Sequence, residues 1–238
     1  MIALMLALQA APPPVPIPAS PVCSVTLTVD VNEAGDAPER QVYRYDADAG
    51  EWAYLSYNGA PPPDDEREQF EENGRDGGDR SDDPVLPASF YADSAAKLSA
   101  SWTQLAPPDQ YGLAYYGLDA LPKGTVVANG RDLSNNIRLR YLIDQSREGA
   151  PVIAVAGGQL KKTWRIPLIA RIDAFDIERR FAPAPPETGA PGVMLPTTEH
   201  VEISASILGK DRSAVIDTAF GEWDCVPDGA ELADSGAR

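Results

Sequence analysis

In "CSVTLTVDV", residues 23–31, the apolar side chains of Val25, Leu27, Val29 and Val31 alternate with Ser24, Thr26, Thr28 and Asp30. A period of two marks a strand with one face buried and the other wet. The period returns in "IRLRYLID", where Ile137, Leu139, Tyr141 and Ile143 share a face opposite Arg138 and Arg140. In "QLKKTWRIPLIARIDAFDIERRF", Phe175, Ile177 and Phe181 alternate with Asp176, Glu178 and Arg180, and Pro167 splits the run into two strands or marks a bulge. Further on, Val201, Ile203, Ala205 and Ile207 precede a turn at Gly209 to Asp211, with Ile216, Thr218 and Phe220 after it, which predicts a hairpin.

A second hairpin is written in "QVYRY" and "EWAYLSY", which flank "DADAG". With a four-residue loop, Ala47 to Gly50, Tyr45 faces Trp52 and Tyr43 faces Tyr54, so that four aromatics share one sheet face; a five-residue loop from Asp46 separates the two pairs. On a shared face, Tyr43, Tyr45, Trp52 and Tyr54 are candidate ligand-binding residues lining a groove. The competing reading is ordinary cross-strand aromatic packing.

Helix is scarce. "PPDDEREQFEENG" places Pro63 before Asp64, acids in the first turn and Gly74 at the end, the signals of one short exposed helix. The charged, glycine-rich "RDGGDRSDDP" after it reads as a loop. Leu98, Ala100 and Trp102 alternate within residues 97–104, which predicts another strand. One-sided strands in series bury their apolar faces on each other. The expected fold class is therefore mainly β, a curled antiparallel sheet, half-barrel or sandwich-like, with one or two short helices. A single domain is expected over residues 23–226, with Ile137, Leu139, Tyr141, Ile177, Phe181, Ile203, Ile207 and Ile216 inside.

Composition sharpens this picture in one respect. Of 238 residues, 36 are acidic and 20 basic, a net charge of -16, and such a balance repels phosphate backbones and argues against a nucleic-acid partner. The charge is uneven: Asp64 to Asp83 is strongly acidic, whereas residues 131–180 are weakly basic.

Ile2 to Leu8 are uninterrupted apolar and are followed by Gln9, alanines and a proline-rich run, the order of a signal sequence and its cleavage zone. The expected layout is a signal peptide over 1–11, a proline-rich leader over 12–22 and a disordered tail over 227–238, giving a periplasmic or secreted protein. A bilayer-spanning helix takes about 20 apolar residues, and no run approaches that length. Cys23 lacks the leucine-like and small residues of a lipid-attachment site, since Ser20, Pro21 and Val22 precede it. It enters the first strand as Cys225 leaves the last, so a Cys23–Cys225 disulfide is expected, against two separate buried thiols.

Candidate chemistry is thin. His200 is the only histidine, which excludes a histidine-rich metal site and makes it the required member of any Ser-His-Asp arrangement. "SAAK", Ser94 to Lys97, has the S-x-x-K spacing and "SNN", Ser134 to Asn136, resembles its companion, but no K-T-G follows. Asp76, Asp79, Asp82 and Asp83 cluster without EF-hand spacing. No catalytic residue, metal site or cofactor is assigned.

"GEWAYLSYNGAPP" followed by an acidic helix resembles a segment of exported proteobacterial proteins of unassigned function. The later order of strand, "PLIARIDAFDIERRF", "LP", strand, turn, strand resembles the second half of the lipoprotein-localisation-factor (LolA-like) half-barrel, over residues 95–225. That resemblance implies an antiparallel sheet curled round an apolar cavity that shelters acyl chains or a hydrophobic peptide. The chain departs from it in its acidic loop and in lacking a helix before the first strand. The function expected is a non-enzymatic periplasmic carrier of a lipid or other hydrophobic ligand. The alternatives are an envelope hydrolase using carboxylates, or a structural module.

Overall fold

Alternation in the first strand commits Val25, Leu27 and Val29 to one side, and in the computed structural model these three side chains are buried while the polar residues between them stay half-exposed. The structure describes residues 22–73, 103–106, 109–110, 112–119, 121, 123, 127–128, 131–132, 134–145, 151–166, 170–190 and 193–226. The expected signal, residues 12–21 of the leader, the acidic loop with its four aspartates, Ser94 to Lys97, residues 97–102 of the strand expected over 97–104, Pro167 and the tail lie outside the described residues, and Val22, expected in the leader, opens the first strand.

Strands β1 (Val22–Glu33), β2 (Glu39–Asp46) and β3 (Glu51–Tyr57) form two hairpins and lead into helix α1 (Asp64–Asn73). Then come β4 (Thr103–Ala106), β5 (Leu113–Leu118), the two-residue strands β6 (Val127–Ala128) and β7 (Arg131–Asp132), β8 (Ile137–Asp144) and β9 (Val152–Leu160). β10 (Trp164–Ile166), β11 (Ala170–Pro183), β12 (Met194–Ile207) and β13 (Lys210–Val226) complete the chain.

All but β6 and β7 belong to one curled, open antiparallel sheet, in the order β3-β2-β1-β13-β12-β11-β9-β8-β5-β4. β10 continues the line of β9 beside β11: Gln159 faces Asp176 and Trp164 faces Ile172. With β6, β7 and β10 set aside, each strand of that order adjoins the next one in sequence except where β1 meets β13. That seam carries the disulfide Cys23–Cys225, with Cα atoms 4.0 Å apart at a sequence separation of 202. Gly189 lies against the same seam with φ of 80°, and a Cβ there would sit 2.2 Å from the carbonyl oxygen of Cys225. Only glycine fits.

The sheet buries its apolar face in separate clusters. One gathers Tyr116, Leu118, Tyr141, Ile143, Ile153 and Phe181 over β5, β8, β9 and the end of β11. Another gathers Val25, Leu27, Tyr43 and Phe220, with Phe70 of α1 packed against it. A third, with Ala184, Ala190 and Leu195, wraps the disulfide. The acids Asp64, Asp65 and Glu66 occupy the first turn of α1, where the helix dipole favours negative charge.

Two expectations need correction. The loop between β12 and β13 is the two-residue turn Leu208–Gly209, since Ile207 pairs with Lys210, so it begins before the expected Gly209 to Asp211. Ile207, expected inside, is 47% exposed because it is the last residue before that turn. Ile137, Tyr141 and Phe181 are buried as expected, while Leu139, Ile177, Ile203 and Ile216 are only half-buried.

Candidate functional site

Strand register lines up one residue from each of seven strands on the polar face. Arg40 faces Asp30, Asp30 faces Asp217, Asp217 faces His200, His200 faces Glu178, and Glu178 faces Gly157, which faces Arg140. This charged row crosses a trough of about 570 Å³, also lined by Asp176, Arg180 and Glu202. Arg40 holds Asp30 through two nitrogens, Nε at 2.6 Å and Nη2 at 2.8 Å, and this bonding keeps the Asp30 carboxyl below its usual range.

His200 is clasped from both sides: Nδ1 lies 2.6 Å from Asp217 Oδ1 and Nε2 3.1 Å from Glu202 Oε1. Hydrogen bonds to these two carboxylates raise its pKa and favour imidazolium. With both nitrogens engaged, the geometry is that of a charge clasp rather than of a base facing a hydroxyl. Gly157 has no side chain, and Arg140 uses the space, extending over β9 to hydrogen-bond Asp176 and to reach Glu178 at 3.9 Å. Burial pushes the Asp176 carboxyl up against the pull of Arg140.

One residue further along each strand lies an apolar row: Val31 faces Ile216, Ile216 faces Val201, Val201 faces Ile177, and Ile177 faces Gly158, which faces Leu139. It runs between the two large apolar clusters, and its aliphatic side chains are half-buried. Beside it, Arg179 pairs with Glu199 through Nε at 2.7 Å and packs on Phe220, 5.4 Å from the ring centre. Its Nη1 is buried without a hydrogen-bond partner. The sequence analysis missed this pair, although Arg179 and Glu199 stand at positions that alternation assigns to the apolar face.

The four-residue loop holds. Tyr45 faces Trp52 and Tyr43 faces Tyr54, and all four aromatics join one cluster. Tyr43 and Tyr54 stack at 4.7 Å, and Phe70 of α1 closes on them at 5.6 and 5.7 Å. The space over Tyr43 and Tyr54 is thus taken by the chain's own helix, and Tyr54 donates to Glu66 at 2.9 Å. Burial, with that bond, pushes the Tyr54 phenol well up. Ser134 is buried in the turn before β8 and bonded to Asp132. Among the described residues no group of three His, Cys, Asp or Glu is placed to hold a metal ion. No protein-family model matches the chain, and no similar curated protein was found.

Proposed function

We propose that this is an exported, non-enzymatic binding protein that carries a lipid or other hydrophobic ligand on the apolar side of its curled sheet. The observation that carries this reading is the row Val31, Ile216, Val201, Ile177 and Leu139, which is aliphatic across the sheet yet only half-covered. Such a strip gains free energy when an acyl chain covers it, at about 25 cal/mol per Å² of apolar surface removed from water. Arg179 adds a polar tooth. Its unpartnered Nη1 suits a carbonyl acceptor on the ligand, since Glu199 already balances its charge. The disulfide suits an oxidising compartment, in keeping with the apolar run Ile2 to Leu8.

Native mass spectrometry of protein purified from the periplasm tests the proposal. Co-purifying lipid is expected, as is displacement of a fluorescent fatty acid that weakens in Val201→Gln. A clean unliganded mass together with no probe binding overturns it. A hydrolase is the second reading, favoured by one observation: burial holds the Asp176 carboxyl toward its protonated form beside Glu178 in the charged trough.

A further inference from the structure

Leu208 conflicts with its own turn. The pairing of Ile207 with Lys210 leaves Leu208 and Gly209 at φ of 49° and 79°, the left-handed geometry of a type I′ turn, whose central positions ordinarily take Asn, Asp or Gly. The leucine side chain is 76% exposed and Ile207 before it 47%, so burial within the fold does not account for either. The tip projects freely, since a Cβ placed on Gly209 would meet nothing within 4 Å.

Lys210 shares the face of Ile207, and two arginines lie one row away on the neighbouring strands. The row of Ala170, Ile207 and Lys210 lies one register step from that of Arg165, Arg171 and Ser206. Arg171 is paired with Asp173 at 2.9 Å, but Arg165 and Lys210 are exposed and without a carboxylate partner among the described residues, against the carboxylate of Asp211 opposite Ser206. In a chain of net charge -16 this is a local reversal of sign beside an aliphatic tip.

We infer that the β12–β13 tip docks on an anionic lipid bilayer, with Leu208 and Ile207 entering the headgroup region and Lys210 and Arg165 meeting lipid phosphates. A convex tip of two apolar side chains falls far short of the roughly 800 Å² per partner that a stable protein interface buries. A bilayer accepts single apolar side chains and attracts the cations beside them. The docking does not depend on what the apolar row carries.

Co-flotation of the full chain with vesicles of phosphatidylglycerol and phosphatidylcholine, or of phosphatidylcholine alone, is the test. Binding to the anionic vesicles is expected, falling with added salt and weak on neutral ones. Leu208→Asn removes the apolar tip with a residue the turn prefers, so its melting temperature should hold or rise while vesicle affinity falls about tenfold. Lys210→Glu should weaken binding to anionic vesicles only. A wild-type chain that stays unbound, or a folded Leu208→Asn variant that floats as well as wild type, overturns the inference. Binding that is equal on both vesicles and indifferent to salt also overturns it.

Discussion

At the scale of single residues, two adjacent glycines of β9 face opposite demands. A Cβ on Gly157 would lie 2.8 Å from the carbonyl oxygen of Ile177 and 3.0 Å from Arg140 Nε, whereas on Gly158 the nearest atom is Ile177 Cγ2 at 3.4 Å. Gly157→Ala should therefore cost about 1–3 kcal/mol by crowding β11 and displacing Arg140 from Asp176. Gly158→Ala should be neutral or mildly stabilising, because the methyl group extends the apolar row and stiffens the unfolded chain. Denaturant titration of both variants checks the contrast, and equal losses would contradict the assigned faces. His200 makes a pH-dependent prediction. Its folded pKa is raised above the ordinary 6.5, so the clasp with Asp217 and Glu202 stabilises fully below that value and fades as pH rises through the raised one. The melting-temperature advantage of wild type over His200→Gln should shrink on going from about pH 6 to about pH 9.

Elements were the most legible level of this fold, because a period of two needs only local sequence. Runs 23–31 and 137–143 declared their faces, and Pro63, the first-turn acids and Gly74 bracketed α1. Register was legible only in part. Sliding a strand by two residues keeps every side chain on its face, so alternation alone cannot decide that Arg179 meets Glu199 or that Gly157 opens a path for Arg140. The β2–β3 loop length was likewise open until the pairing of Tyr45 with Trp52 fixed it. The β12–β13 turn was misplaced because Gly209 and Asp211 are turn formers and Leu208 is not. Burial along an element was also invisible, as Ile143 on β8 is 1% exposed while Ile177 on β11 is half-covered. Ile143→Ala should accordingly cost about 2–5 kcal/mol and Ile177→Ala distinctly less, as read from urea unfolding midpoints.

For the whole molecule, the disulfide seam is the joint that makes three N-terminal strands and the rest into one sheet. In the chain-entropy account, closing a loop of this length stabilises by about 5 kcal/mol. Peptide mapping without reductant should find the two cysteines joined, and the Cys23→Ser, Cys225→Ser double variant should melt well below wild type. The seam is also where the sheet departs from a simple meander, with Val22 facing Val226. Joining those positions by a short linker and opening the chain after α1 would give a permuted protein running β4 to β13 and then β1 to β3, in which β13 and β1 are consecutive. The slow search that brings the first strand to the last would vanish, and folding should accelerate as contact order falls. In the natural connectivity, β1 waits with an unsatisfied edge until the final strand arrives. A chain threaded across a membrane from its N-terminus would carry that open edge through the whole passage.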